Sequence, residues 1–203
     1  MATSRVYRQR RRAESTAETR RRIMDAVRDL LERGEFHRSS VEEIAERAGV
    51  ARATLYQHFG SRLGLVDAIC QSFSENPSMA ALKASRELED PAEAAVELVR
   101  QAMRFWAAEE ALHRNLYGLA TIDDAARDFV RRQGADRRSY AERVLRRLRE
   151  AGRLRRGIGE NEALALLLLL TSFKTYEELR AAGLSLAQAE ELAVAQVREL
   201  VGG

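Results

Sequence analysis

The twenty residues from Ser40 to Phe59 constrain the fold more than any other stretch of the chain. Ser40 followed three positions later by Glu43 forms a capping box, which opens a helix. Val41, Ile44, Ala45 and Ala48 give that short helix one apolar face, and Gly49 ends it. A turn through Val50 leads into a second short helix from about Ala51 to Phe59, which Gly60 stops. Two short helices joined by a glycine-centred turn have helix-turn-helix spacing. Ile44, Ala45, Ala48, Val50, Leu55 and Phe59 can pack the pair against a preceding helix, and the small residues at 45 and 48 allow close approach. The opposite side of the second helix then presents Arg52, Ala53, Thr54, Tyr56, Gln57 and His58. These are donors, acceptors and one small residue, able to meet phosphates and base edges in a major groove. An ordinary helical hairpin with a polar outer face would carry the same pattern.

The rest of the chain reads as helix too. Ala, Leu, Glu and Arg make up 113 of the 203 residues, whereas Val, Ile and Thr supply 24. Strong helix formers in that excess predict an all-α fold and exclude a sandwich, a barrel or a βαβ unit. Ile23, Ala26, Val27, Leu30 and Leu31 repeat at helical spacing, so the first helix is expected to open near Thr19. Asn76-Pro77 reads as a joint. Asp90-Pro91 opens a helix to about Glu109, and another follows over 110–119. A helix from Asp123-Asp124 is expected to break or kink near Gly134 and end near Gly152. A strongly apolar helix spans about 161–181, and Ser185 caps a last one. The total is about nine helices: a three-helix domain over 18–62 that contains the helix-turn-helix pattern and a larger helical domain over 63–203.

Charge is uneven along the chain. Residues 1–60 hold 13 arginines against 9 acids, while 61–203 hold 21 basic residues against 22 acids. The sharpest cluster is Arg5, Arg8, Arg10, Arg11 and Arg12. Residues 1–17 lack hydrophobic periodicity and read as a disordered basic arm, either a polyanion contact or a solvated tail. Cys70 is the single cysteine, so no internal disulfide can form. Three scattered histidines and one cysteine offer no metal spacing, and no cofactor motif is present. The longest apolar run, Ala163 to Leu170, is too short to span a bilayer. A soluble, cytoplasmic protein without a membrane association is expected.

The string Gly49-Val50-Ala51-Arg52-Ala53-Thr54-Leu55-Tyr56-Gln57-His58-Phe59-Gly60-Ser61-Arg62 completes a pattern begun by Thr19-Arg20-Arg21-Arg22-Ile23 and Ser40-Val41-Glu42-Glu43-Ile44-Ala45. Over about residues 18–72 the chain closely resembles the N-terminal domain of tetracycline-repressor (TetR) family regulators. The resemblance implies that Arg52, Ala53, Thr54 and Gln57 face bases or the adjoining backbone. It implies phosphate contacts for Tyr56 and His58, a phosphate-binding role for Arg62, and a backbone-proximal place for Ser40. The alternative for Tyr56 is an aromatic that packs the helix junction. Ala51 and Gly64 depart from the family pattern, which usually has Ser and an acidic residue there.

The resemblance further implies a homodimer through the last two helices, a pseudo-palindromic double-stranded operator and an unknown small-molecule effector that releases a repressor from it. Met103, Trp106, His113, Tyr117, Phe129, Tyr140, Phe173 and Tyr176 could line the effector pocket or simply fill the core. Two other functions stay in view. An architectural DNA-binding protein would have no effector, and an all-α enzyme would need a nucleophile–base pair or metal cluster that the sequence lacks.

Overall fold

The computed structural model describes residues 2–73 and 77–202; the side chains of residues 2–10, 12, 78 and 86 are not described. Eleven α-helices run through the described residues: α1 (Ala2–Glu32), α2 (Val41–Arg47), α3 (Arg52–Phe59), α4 (Arg62–Ser72), α5 (Pro77–Ala84), α6 (Pro91–Ala108), α7 (Glu110–Leu119), α8 (Asp124–Glu150), α9 (Glu160–Leu170), α10 (Phe173–Ala181) and α11 (Leu186–Leu200). Short 3-10 turns lie at Phe36–Arg38 and Ser85–Glu87. The only β-type pairing among the described residues is one antiparallel bridge between Leu154 and Val201. The fold is all-α, as the composition requires.

The helices pack as two compact units, one of residues 1–72 with 114–129, the other of 73–113 with 130–203. In the first, Ile23, Val27, Leu30, Ile44, Leu55, Leu65, Val66 and Ile69 are all fully buried. Asn115 on α7 ties its segment to this unit by donating its amide to the Glu32 carbonyl at the end of α1 (2.9 Å). In the second, α6 is central and packs on α5, α10 and α11. Its start is built as expected, with Asp90 accepting the Ala92 N–H (2.8 Å) and Pro91 at the first helical position. Arg104 makes a two-pronged ion pair with Glu190 (2.9 and 3.1 Å) that joins α6 to α11.

Several expectations need correcting. The helix expected to open near Thr19 opens at Ala2, because residues 1–33 contain no Gly or Pro and are rich in helix formers. The stretch assigned to a disordered arm is therefore helical in its backbone; the side chains of Arg5, Arg8, Arg10 and Arg12 lie outside the described residues. α8 runs unbroken through Gly134. Pro77 opens α5 (Pro77–Ala84), a helix that the pattern did not announce. The apolar helix over 161–181 is two helices. Thr171 turns its hydroxyl back to the Leu167 carbonyl (2.7 Å), and Ser172 then caps α10 by accepting the Thr175 N–H (3.0 Å). The local cap outcompetes continuation of the first helix.

Candidate functional site

The helix-turn-helix assembles from short-range interactions. Ser40 accepts the Glu43 N–H (3.2 Å) while its own N–H donates to the Glu43 carboxylate (2.7 Å), completing the expected capping box. That bond to Ser40 N–H keeps the Glu43 carboxyl below its usual range. Gly49 takes a φ of +63°, open to glycine at little cost, and the chain reverses as Val50 N–H reaches the Ala45 carbonyl (3.0 Å). Ala51 stands at the N-cap of α3 and gives it no side-chain cap. Leu55 is fully buried and anchors the helix, whereas Phe59 and Val50 are only half-buried.

With Leu55 turned inward, Arg52, Ala53, Tyr56 and Gln57 are exposed together on the other side of α3. Thr54 and His58 flank them, half-buried, with the His58 ring beside Phe59 (centroids 6.1 Å apart). Arg52 donates to the Tyr56 hydroxyl (3.4 Å), lies over its ring at 5.4 Å and pairs with Glu42 of α2. The Tyr56 hydrogen bond and the Glu42 charge raise the Arg52 pKa further. The face is thus polar, accessible and nearly neutral at rest, with one cation held by a carboxylate on the neighbouring helix. Ser40 sits at the start of α2, also exposed.

Arg62 does not lie where a phosphate contact requires. It points inward, its guanidinium 4.1 Å above the Phe36 ring and its two terminal nitrogens donating to the Phe36 and Ser39 carbonyls. Burial pulls its pKa down, opposed by Asp123. Its geometry makes it a clasp that ties the start of α4 to the segment before α2. Gly64, two residues further, has a physical reason: a Cβ there would meet the Phe59 carbonyl oxygen at 1.9 Å. Only glycine lets α3 and α4 pass this closely.

Two arginines of α1 were not singled out by sequence reasoning. Arg22 donates to the Gly49 carbonyl (3.3 Å), ahead of α3, and Arg20 lies over the Phe59 ring (4.6 Å), at its far end. Together they bracket α3 with exposed positive charge. The signal was the run Arg20-Arg21-Arg22; only its middle member is occupied locally, between Glu18 and Asp25.

The expected pocket residues divide between the units. Tyr117 and Phe129 belong to the first unit. Met103 is fully buried in α6. Trp106, His113, Phe173 and Tyr176 are buried in the second unit with Phe73 and Phe105, and His113 stacks on Phe73 (4.7 Å) and meets Trp106 edge-on (4.9 Å). Tyr176 donates to the Glu110 carboxylate (2.7 Å); burial first, then that bond, push its phenol up to about 12. Trp106 and Tyr140 also border a cavity of about 230 Å³ with Phe105 and Thr171. No group of three or more His, Cys, Asp or Glu among the described residues could hold a metal ion, and no described helix is long and apolar enough to cross a membrane.

Known proteins share both the motif and the fold. Residues 23–69 match the profile of bacterial regulatory proteins, tetR family. The uncharacterized HTH-type transcriptional regulator YvkB of Bacillus subtilis is 38% identical over 58 residues, 29% of this chain and 31% of that one. The similar segment thus spans less than a third of that relative's length. Over most of the chain the likeness is one of fold. The TetR family transcriptional regulator PfmR of Thermus thermophilus superposes with a TM-score of 0.63 at 23% identity, covering 88% of this chain and 96% of that one. SmeT, the repressor of the Stenotrophomonas maltophilia multidrug efflux pump SmeDEF, gives 0.66 at 20% identity, covering 89% and 90%. All three are transcriptional regulators or repressors. Residues 23–69 thus carry an N-terminal segment of the tetR type, and the chain shares its overall fold with these regulators.

Proposed function

We propose that this chain is a homodimeric transcriptional repressor that leaves a pseudo-palindromic operator when a small molecule binds its second unit. The observation that carries the reading is the outward face of α3. Arg52, Ala53, Tyr56 and Gln57 serve no packing purpose there, yet a capping box, a glycine turn and the Leu55 anchor fix them on one rigid surface. Arg52, Ala53, Thr54 and Gln57 read base edges, while Tyr56, His58, Ser40 and the exposed Arg20 and Arg22 meet phosphates. Arg52 must exchange Glu42 for DNA to do so. The basic stretch 2–12, helical rather than disordered, adds charge that strengthens binding to any DNA.

Dimerisation is supported by apolar surface that α9 and α11 leave uncovered. Leu169 is 59% exposed and Leu192 44% exposed. A two-fold dimer sets two recognition helices about 34 Å apart, one turn of B-DNA. Release by an effector requires only that it bind more tightly to a protomer spacing that misses this register. SmeT is itself a repressor, which favours that sense of regulation. The test is selection of a random duplex pool on the purified full-length protein, followed by sequencing. A two-fold-symmetric motif with half-sites one turn apart supports the proposal; an unenriched pool overturns it.

A further inference from the structure

We infer that the arginine-rich end of α8 and the loop after it form a second DNA contact, which takes the phosphate backbone of duplex DNA without reading its sequence. Arg146, Arg153, Arg155 and Arg156 of the second unit carry it. The contact does not depend on whether α3 reads an operator.

Charge is concentrated there against an even background. The second unit as a whole holds 18 basic and 18 acidic residues. Yet the eleven residues from 146 to 156 hold six arginines against Glu150 alone. Two of the six are occupied: Arg147 donates to the Leu88 and Glu89 carbonyls, and Arg149 pairs with Glu160 (3.0 Å). The other four are exposed, and no carboxylate among the described residues pairs with them. Elsewhere, exposed arginines such as Arg21, Arg33, Arg104 and Arg138 each hold a carboxylate. Four neighbouring cations left without one repel each other, and a polyanion relieves that repulsion.

The backbone holds the loop in place before any partner arrives. Leu154 pairs with Val201 in the antiparallel bridge, and two hydrogen bonds flank it, from Arg155 N–H to the Leu200 carbonyl (3.0 Å) and from Gly202 N–H to the Arg153 carbonyl (2.9 Å). Leu154 is half-buried while Arg153 and Arg155 on either side of it are exposed, the alternation of an extended strand. The make-up of the patch selects the partner. The exposed large apolar side chains among the described residues are Tyr56, Leu63, Ile122, Leu169 and Leu192, and none of them lies between 130 and 168. A protein partner needs apolar or aromatic anchors to bury, and firm seating on a lipid surface needs an apolar wedge. Duplex DNA needs neither, because neutralised phosphates release counterions and guanidinium forks match phosphate oxygens.

The full-length protein is titrated by anisotropy onto a long random-sequence duplex over a range of salt concentrations. Arg153→Gln, Arg155→Gln and Arg156→Gln together are expected to weaken binding at least tenfold at low salt. They should also flatten the slope of log K against log salt by about two to three, roughly 0.9 for each lost phosphate contact. Arg153→Lys, Arg155→Lys and Arg156→Lys together, which keep the charge, should keep the slope. Arg104→Gln, Arg138→Gln and Lys174→Gln together remove the same net charge from ion-paired sites and should leave the slope as it is. Equal losses in the two Gln triples, or an unchanged slope in the first, overturn the inference. So does tighter binding of the wild type to phosphatidylglycerol vesicles or to polyglutamate than to the duplex. Selection of an operator from a duplex pool is run beside it. A selected motif with an unchanged slope in the first Gln triple sinks the second contact alone. A flattened slope with no selected motif supports the second contact and sinks the operator-reading regulator.

Discussion

The outer face of α3 and the aromatic cluster around His113 are built on opposite principles. On α3, Arg52, Ala53, Tyr56 and Gln57 are exposed, and the helix would stand without them because Leu55 and the flanking caps hold it. In the cluster, Phe105, Trp106, His113, Phe173 and Tyr176 are all at most 3% exposed, and each is packing for the others. A side chain the fold does not need is free to be chosen for a partner. A side chain the fold does need announces a function only where packing stops, as it does at the cavity beside Phe105 and Trp106.

That contrast predicts unequal responses to mutation. The largest is for Phe173→Ala, which removes a buried ring in contact with Trp106 (5.4 Å). It should cost about 3–5 kcal/mol in denaturant unfolding. Gln57→Ala should stay within about 0.5 kcal/mol. Comparable losses from the two would break the comparison.

Arg62 sharpens it, being a charged residue that belongs to the packing class. Arg62→Ala removes the side-chain donor from the Ser39 carbonyl and leaves the Phe36 carbonyl only the Ser39 N–H, at a cost of roughly 1–3 kcal/mol. Its effect on the salt dependence of DNA binding should be nil. A slope flattened by about one unit would instead mark a phosphate contact.

Tyr176 responds to pH. Its phenol ionises near pH 10 in the unfolded chain and near 12 in the fold. The folded state therefore holds a proton that the unfolded state has lost. The stability from this group is complete below about pH 10 and falls as pH rises toward 12. Tyr176→Phe should flatten that part of the unfolding curve; an unchanged decline would contradict the raised Tyr176 phenol.

Glu42→Gln should have the smallest effect on stability, within about 1 kcal/mol, because the pair with Arg52 is exposed. Released from its carboxylate, Arg52 should then bind random DNA more tightly in an anisotropy titration. Weaker binding would mean that Glu42 positions Arg52 for DNA and does not compete with it.

How much of this was legible in the sequence follows the range of the interactions. The capping box at Ser40, the turn at Gly49 and the inward Leu55 are local, so α2 and α3 could be read directly from the residues. The start of α1 was misread because residues 2–17 carry helix propensity without an apolar face. The cap at Ser172 was hidden inside an apolar run that looks continuous. Arg62 was misplaced because a family position says where a Cα stands, not which carbonyls a long side chain finds. Tyr117 and Phe129 were grouped with Trp106 because the chain leaves the second unit at Arg114 and returns at Val130, a path that periodicity does not reveal.

The central claim is that the outer face of α3 reads DNA sequence. The most direct test is the ratio of affinities for the selected operator and a scrambled duplex, at one fixed salt concentration, for wild type and Gln57→Ala. The wild type should prefer the operator by at least about 10³. Gln57→Ala should lose roughly 1–3 kcal/mol of that discrimination, about 5- to 150-fold, with its binding to the scrambled duplex unchanged. An operator preference that survives Gln57→Ala intact, or affinities for both duplexes that fall together, would contradict it.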